Sequence, residues 1–341
     1  MENKKYKRIT KIKNTISFHS FAAVGGFEER RGPLGEFFDL CDPSDKFGQK
    51  TWEISESEMG RVALNIALSK GNLSHEEISL LVAGDLQNQC VASASGLHSF
   101  NIPFIGVYGA CSTCTESIMT LSSFMESSDS FTYGAAVTTS HNSAAEKQFR
   151  TPIEYGGQRA KTAQWTSTAG GAFILKRGDG DVKITEYMPG KIIDGSIKDG
   201  TNMGGAMAFA AADTLVSYFE ESGHSPLEFD LIVTGDLGRV GSEILREILA
   251  KEVPGADRIH TDCGLLLYDM ENQDPHSGAS GCGTSASVLA CKFLPELRIG
   301  KIKNILFLST GALMSPQSLL QGENIFGIAP LIRLEAEKNK I

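Results

Sequence analysis

The sequence predicts an α/β protein of duplicated, pseudo-twofold design, and three observations carry that expectation. A compact β run, Leu80-Leu81-Val82-Ala83, ends in Gly84-Asp85-Leu86. The same grammar returns at Leu231-Ile232-Val233-Thr234 and ends in Gly235-Asp236-Leu237, 151 residues later. A small-residue run from Ala110 to Cys114 is mirrored by Gly281 to Ser285, with Cys111 matched to Cys282 at an offset of 171. A helical stretch and another strand follow each run, Gly134 to Thr139 and Ile305 to Thr310; matching Thr139 to Thr310 again gives 171. Three matches in order read as a tandem duplication, and the change of offset puts an insertion of about twenty residues near Asp262 to Ser280. Two strand–helix–strand units bury parallel sheets between helices. The duplicated helices then become the central ones, packed back to back, because their Ala, Ser, Cys and Gly content permits close approach. Their starts converge near the middle of the molecule, and so should any pocket.

The 341 residues are enough for two modest domains or one large duplicated one, and 41% hydrophobic residues support a real core. A net charge of −9 and a pI near 5.4 argue against nucleic acid as a partner. Seven cysteines include a C-x-x-C at Cys111 and Cys114, but no second pair completes a metal or redox set. No metal site and no cofactor are expected, and a reducing setting fits best. The first fourteen residues carry Lys4, Lys5, Lys7, Arg8, Lys11 and Lys13 against Glu2 and read as a solvated basic tail. Polar Asn14, Ser17, His19 and Ser20 break the mildly apolar stretch that follows, so it does not read as a signal peptide. Leu86 to Thr115 is uncharged with His98 neutral, yet Asn, Gln, Ser and Pro interrupt it too often for a membrane span. Residues 25–50 read as an ordered loop region. Trp52 to Lys70 reads as a helix with Met59, Val62, Ala63 and Ile66 on one face, and Ser74-His75-Glu76-Glu77 has capping-box spacing. The resulting plan is a basic tail (1–14), a first half (15–185) carrying an inserted loop (140–166), and a second half (186–341).

The chain is organised around Gly109-Ala110-Cys111-Ser112-Thr113-Cys114. Ile105 to Tyr108 reads as the end of a buried strand, and Ile118, Leu121 and Met125 fall at helical spacing. Cys111 then stands at a helix start, where unpaired N–H groups and the helix dipole favour a thiolate. The competing reading is a small residue of the core. Local sequence does not separate the two.

Gly109-Ala110-Cys111-Ser112 resembles the nucleophile turn of the thiolase and ketoacyl-carrier-protein synthase superfamily. Gly283-Thr284-Ser285-Ala286-Ser287-Val288 resembles the Asn-Thr-Ser motif of that superfamily's second half. The resemblance is closer still to the stage V sporulation protein AD (SpoVAD) family. It is carried by Lys50-Thr51-Trp52-Glu53, Ala83-Gly84-Asp85-Leu86-Gln87-Asn88-Gln89, Ser140-His141-Asn142, Gln148-Phe149-Arg150, Glu154-Tyr155-Gly156-Gly157-Gln158, Ala210-Ala211-Ala212-Asp213-Thr214 and Asp262-Cys263-Gly264. These segments run from about residue 25 to the C-terminus. The resemblance implies a thiolase-like duplicated fold, layered α-β-α-β-α with pseudo-twofold halves, in a spore-forming bacterium. It further implies a protein that binds dipicolinic acid, or its calcium chelate, for uptake into the developing spore without turning it over. The implied partners are other SpoVA membrane proteins, with a peripheral place at the spore inner membrane. Fold analogy adds a homodimer formed across the strand around Phe131 to Thr139.

The resemblance also sets a test for catalysis. A condensing enzyme of this superfamily supports its cysteine with a His from the second half and a neighbouring His or Asn, as base and oxyanion donors. Here Thr234 stands where that His is expected and Gly283 replaces the Asn. Cys111 is therefore expected to be a vestigial nucleophile with no catalytic set, unless His141 or His260 swings in from another loop. A dianionic aromatic ligand asks for Arg, Lys or backbone N–H donors and for flat apolar walls. The helix start offers backbone donors, and the loop from Ser140 to Thr166 offers Arg150 and Arg159. The expected ligand-binding set is Cys111, Ser112, His141, Arg150, Arg159, Thr234, Asp236 and Cys282. Blander readings stand beside it: His141 as a hydrogen-bonded turn residue, each arginine as a surface side chain, and the matched Asp85 and Asp236 as loop hydrogen-bond acceptors. No D-x-D-x-D-G loop points to a calcium site. The alternative functions are an acyltransferase loaded on Cys111 and a structural subunit of a spore membrane channel complex.

Overall fold

The computed structural model describes residues 7–149 and 159–337. The main elements of the first half are β1 (Thr10–Gly25), α1 (Trp52–Gly71), β2 (Ile78–Gly84), β3 (Phe104–Gly106), α2 (Thr113–Ser127), β4 (Tyr133–Ser140) and β5 (Ala169–Arg177). Those of the second are β6 (Val182–Met188), α3 (Met203–Ser222), β7 (Leu231–Thr234), α4 (Gly238–Glu252), β8 (His260–Asp262), α5 (Cys282–Val288), β9 (Asn304–Leu308) and β10 (Leu331–Ala336). The strands lie in the order β8-β7-β9-β10-β6-β1-β5-β4-β2-β3. The order β3-β2-β4-β5-β1 in one half thus recurs as β8-β7-β9-β10-β6 in the other. In each half the first three strands are parallel and the next pairings antiparallel, and β1 meets β6 antiparallel where the halves join.

Packing explains the layers. Helix α2 buries Cys114, Ile118, Leu121 and Met125 in one cluster with Ala286, Val288 and Leu289 from α5 and the segment following it. Phe18, Phe173, Ile305 and Phe307 from the strands of both halves close the same cluster, so the two duplicated helices form the middle layer. Their small polar residues lock together: Thr115 Oγ1 lies 2.8 Å from Ser309 Oγ, which is 3.2 Å from Ser285 Oγ. Outside the first half, α1 packs Met59, Ala63, Leu64, Ala67 and Leu68 on Leu81, Val137 and Ile174; Val62 and Ile66 are only half-buried at the margin of that face. Outside the second, Met207, Ala211 and Leu215 of α3 and Leu245 and Leu249 of α4 cover Ile232 and Leu306.

Three expectations are corrected. The strand at Phe131–Thr139 cannot offer a dimer edge, because β4 is flanked by β2 and β5; the outer strand of that half is β3. The insertion is split. Leu81 pairs with Phe104 but Ile232 with His260, partners 23 and 28 residues apart. The remaining excess lies between Asp262 and Cys282, 20 residues against the 5 between Gly106 and Cys111. The basic N-terminal stretch is not simply solvated: Thr10 to Asn14 open β1, and Arg8 sits 3.0 Å from Asp213 and hydrogen-bonds Glu221 through its backbone N–H.

The chain from Gly26 to Arg31 is tied to the second half by a buried carboxylate. Glu29 accepts from the backbone N–H of Gly26 (3.1 Å) and Thr168 (3.0 Å) and from the Tyr268 hydroxyl. Burial raises its pKa to about 7, against the lowering effect of those hydrogen bonds. The folded chain therefore binds more protons than the unfolded chain between the ordinary carboxylate range and pH 7, so stability falls as pH rises through that window. The contribution is about 3 kcal/mol. Melting temperature should drop from pH 5 to pH 8, and Glu29→Gln should flatten that drop. An unchanged slope in Glu29→Gln, read by thermal denaturation, refutes the assignment.

Candidate functional site

The turn before α2 presents Cys111. Ala110 adopts a positive φ of 52°, an unfavourable backbone for a residue with a Cβ, and the Ala110–Ser112 turn runs directly into α2. The Ser112 hydroxyl is engaged within its own turn and helix, 2.6 Å from the Gly109 carbonyl and 2.7 Å from Glu116. Cys111 is 6% exposed and clusters with Leu86, Ala145 and Cys282, against which Phe149 packs. The Cys282 thiol donates to the Thr139 carbonyl (3.0 Å), so the two duplicated cysteines meet in one small apolar nest.

The sulfur faces Asp236, with Ser280 Oγ 3.9 Å away. Asp236 follows β7 and is buried. It accepts from Ser280 Oγ (3.1 Å), Gly281 N–H (2.9 Å) and Thr310 Oγ1 (2.8 Å). Gly281 aims its N–H there from a left-handed φ of 98°. Burial raises the Asp236 pKa to about 6. Burial and then the nearby Asp236 charge hold the Cys111 thiol well above its ordinary range. Of the two readings that the sequence left open, this favours the buried core thiol: desolvation and a facing carboxylate outweigh the helix dipole.

Thr234 and His260 sit behind Asp236 in a second chain of hydrogen bonds. Arg246 Nε donates to His260 Nδ1 (3.2 Å), which leaves the imidazole proton on Nε2, 2.8 Å from Thr234 Oγ1; Thr234 in turn donates to Asp262 Oδ1 (2.7 Å). Burial, then the Arg246 charge, lowers the His260 pKa to about 3. His260 is thus neutral with its lone pair engaged, and it does not supply a base. Asp262 also accepts from the backbone N–H of Leu237 and Gly238 and is raised to about 7 by burial. His141 donates through Nε2 to the Asp45 carbonyl (2.9 Å) and packs against Trp52 at 5.4 Å between ring centres. Arg159 donates to the Asp274 carbonyl (2.7 Å) and lies over Trp165. Arg150 lies outside the described residues.

At position 283 a Cβ would stand 2.0 Å from the Ala169 carbonyl oxygen and 2.6 Å from Ser140 Oγ. The backbone of β5 therefore excludes an Asn there. A cleft of about 310 Å³ opens beside the cysteine turn, lined by Leu86, Tyr108, Ala110, Phe149 and the Ala312–Ser315 segment with Ser318. A larger groove of about 460 Å³ lies between α1 and residues 87–99, away from Cys111, and its Arg61 is engaged twice with Glu58. Among the described residues no group of three His, Cys, Asp or Glu side chains is placed to hold a metal. Asp85 accepts from Gln87 N–H and from Ser93 N–H and Oγ, which is loop hydrogen bonding. Sequence reasoning missed Tyr108, Ser280, Met314 and Ser315. Thr310 carried a signal in its repeat match to Thr139.

A duplicated five-layer architecture with a cysteine on the first central helix turn defines the thiolase-like class. Two solved structures show the same fold. Cerulenin-bound OleA of Xanthomonas campestris superposes with a TM-score of 0.61 at 13% identity, over 95% of this chain and 98% of that one. 3-Oxoacyl-(acyl-carrier-protein) synthase III of Aquifex aeolicus VF5 gives 0.58 at 13%, over 93% and 99%. The sequence profile of the stage V sporulation protein AD (SpoVAD) family matches residues 6–335. The chain is 40% identical to stage V sporulation protein AD of Bacillus subtilis (strain 168) over 319 residues, 93% of this chain and 94% of that protein. The chain belongs to the stage V sporulation protein AD family.

Two outcomes check this geometry. Native Cys111 should be alkylated by iodoacetamide at pH 7.5 about 100-fold more slowly than in the unfolded chain, read by peptide mass spectrometry; rapid labelling would identify an activated nucleophile. Gly283→Asn should lose about 3 kcal/mol in urea unfolding, and an undiminished midpoint would show that the site admits an amide.

Proposed function

We propose that this chain is a non-catalytic receptor on a thiolase-like scaffold, binding dipicolinic acid or its calcium chelate for uptake into the developing spore. Membership of a sporulation family supports the setting. The observation that carries the reading is the state of the cysteine: its thiol is buried against a carboxylate, His260 has its lone pair engaged by Arg246, and β5 excludes an amide at 283. A nucleophile without a base or an oxyanion donor has lost two of the groups acyl transfer depends on. The cleft next to it suits a small planar ligand, since Tyr108 and Phe149 supply aromatic side chains and Ser315 and Ser318 supply hydroxyls. The charge-binding side chain of the proposal is Arg150, which follows Phe149 directly in sequence. Docking on the other SpoVA membrane proteins belongs to the same proposal, since among the described residues no helix is long and apolar enough to cross a membrane. A homodimer, if formed by strand pairing, would use the outer strand β3.

Calorimetric titration with dipicolinate, with and without calcium, should give micromolar or tighter binding. Tyr108→Ala and Arg150→Ala should each weaken it by about tenfold, or 1.4 kcal/mol. No heat and no thermal shift with either form of the ligand overturns the proposal. Incubation with acyl-CoA should leave the intact mass unchanged; an adduct lost in Cys111→Ala would establish the acyltransferase instead.

A further inference from the structure

We propose that Gln148 is the positioning residue of the cleft: its amide sets the pose of Tyr108, and through that ring the affinity of the site for a flat aromatic ligand. The inference rests on the receptor reading above and deepens it by naming what holds the wall that the ligand meets. Leu86, Tyr108 and Phe149 line one cleft but come from three separate stretches: the loop after β2, the segment after β3 and the end of the short helix Asn142–Phe149. Gln148 joins all three. Its Nε2 donates to the Leu86 carbonyl (2.8 Å) and to Tyr108 Oη (3.4 Å), and its Oε1 accepts from the Asn88 N–H (3.0 Å). Phe149 is its neighbour in the chain. The lining of the cleft does not include Gln148, so it acts through the residues it holds.

The Tyr108 hydroxyl is committed to the same clasp. It donates to Asn88 Oδ1 (3.1 Å) and accepts from Gln148. Its single proton is used within the protein, which leaves the ring as its contribution to the cleft. Cys90 Sγ adds a third hold, donating to the carbonyl of Val107, the residue before Tyr108 (3.1 Å). The loop that supplies these partners is strained. Gln89 and Cys90 are consecutive residues with a Cβ in the left-handed region, at φ 60° and 54°. That backbone costs free energy and persists only where surrounding contacts over-determine it. Two sets of contacts do so. On the inner side, buried Asp85 accepts from the backbone N–H of Gln87 (2.9 Å) and Ser93 (2.7 Å) and from the Ser93 hydroxyl (2.6 Å). On the outer side, Gln148 supplies the bonds at Leu86 and Asn88. Gln148 is half-buried and sits on a different element, so this anchor can be removed without opening the core. The place asks for two donors and an acceptor on one side chain, which an amide provides and a carboxylate or an aliphatic chain does not.

A double-mutant cycle read by calorimetric titration with pyridine-2,6-dicarboxylate tests the assignment. Gln148→Met removes the amide from an unbranched side chain of similar length. Tyr108→Phe keeps the ring and removes the hydroxyl that the clasp holds, leaving the helix untouched. Each should weaken binding by about tenfold, and the two together by about tenfold rather than a hundredfold, because they break one arrangement from its two ends. Circular dichroism and the urea midpoint check that each variant is folded. A general loosening of the helix would act independently of the Tyr108 hydroxyl, so losses that multiply overturn the positioning role. Undiminished affinity in Gln148→Met overturns it too. Should Gln148→Met fail to fold, Tyr108→Phe decides alone, and full affinity there refutes the proposal. Binding in the unsubstituted protein with indifferent variants leaves the receptor reading standing. No binding in the unsubstituted protein overturns both.

Discussion

The carboxylate of Asp236 is the constraint on which the centre of this molecule turns. It joins pieces that lie far apart in sequence: its own loop after β7, the start of α5 through Ser280 and Gly281, and the segment after β9 through Thr310. Every bond to its oxygens comes from a neutral donor. A buried acid held this way keeps its geometry at the expense of a raised pKa, and it passes that cost to its neighbour. The Cys111 thiol faces it and stays protonated for the same reason. The sulfur sits at a helix start, and its electrostatic surroundings are those of a packed core.

Duplication gives the two halves the same frame and different interiors. Asp85 and Asp236 follow equivalent strands, yet Asp85 bonds within its own loop and Asp236 bonds across elements. Asp85 has the buried acid Glu56 as a neighbour, held by Gln87 and Thr139. Thr139 and Thr310, matched in the repeat, therefore serve matched ends: each hydroxyl contacts a buried acid, Glu56 on α1 and Asp236 facing Cys111. The cleft opens at one of these places because the second half brings Ala312 to Ser315 over the first half's turn at Ala110.

Much of this frame was legible in the residues. Periodicity marked α1, α2 and the strands, and the repeat offsets placed the duplicated helices at the centre, because those signals depend on short-range pattern. The long strand β1 was hidden, since its first residues are basic and polar. What holds that end is Glu126, Asp213 and Glu221, more than a hundred residues away. The meeting of Thr234 with His260 follows from adjacency of β7 and β8, which no local window contains. The dipole argument for a Cys111 thiolate was sound for an isolated helix start. The competing core reading prevails because desolvation is set by the whole fold, here by the convergence of both halves on one sulfur.

The absence of an amide at 283 is a property of packing and not of a single exchanged side chain. Helix α5 lies so close to β5 that Ala169's carbonyl occupies the space of a Cβ, and Ser140 Oγ accepts the Gly283 N–H from the other side. Restoring an Asn would require moving a strand that also pairs with β1 and β4. The same close approach draws Cys282 onto the Thr139 carbonyl and seals the nest behind Cys111. A side-chain amide at 283 would need room between α5 and β5, and here that room is filled by backbone. The space that remains is the cleft beside the turn, against Tyr108 and Phe149.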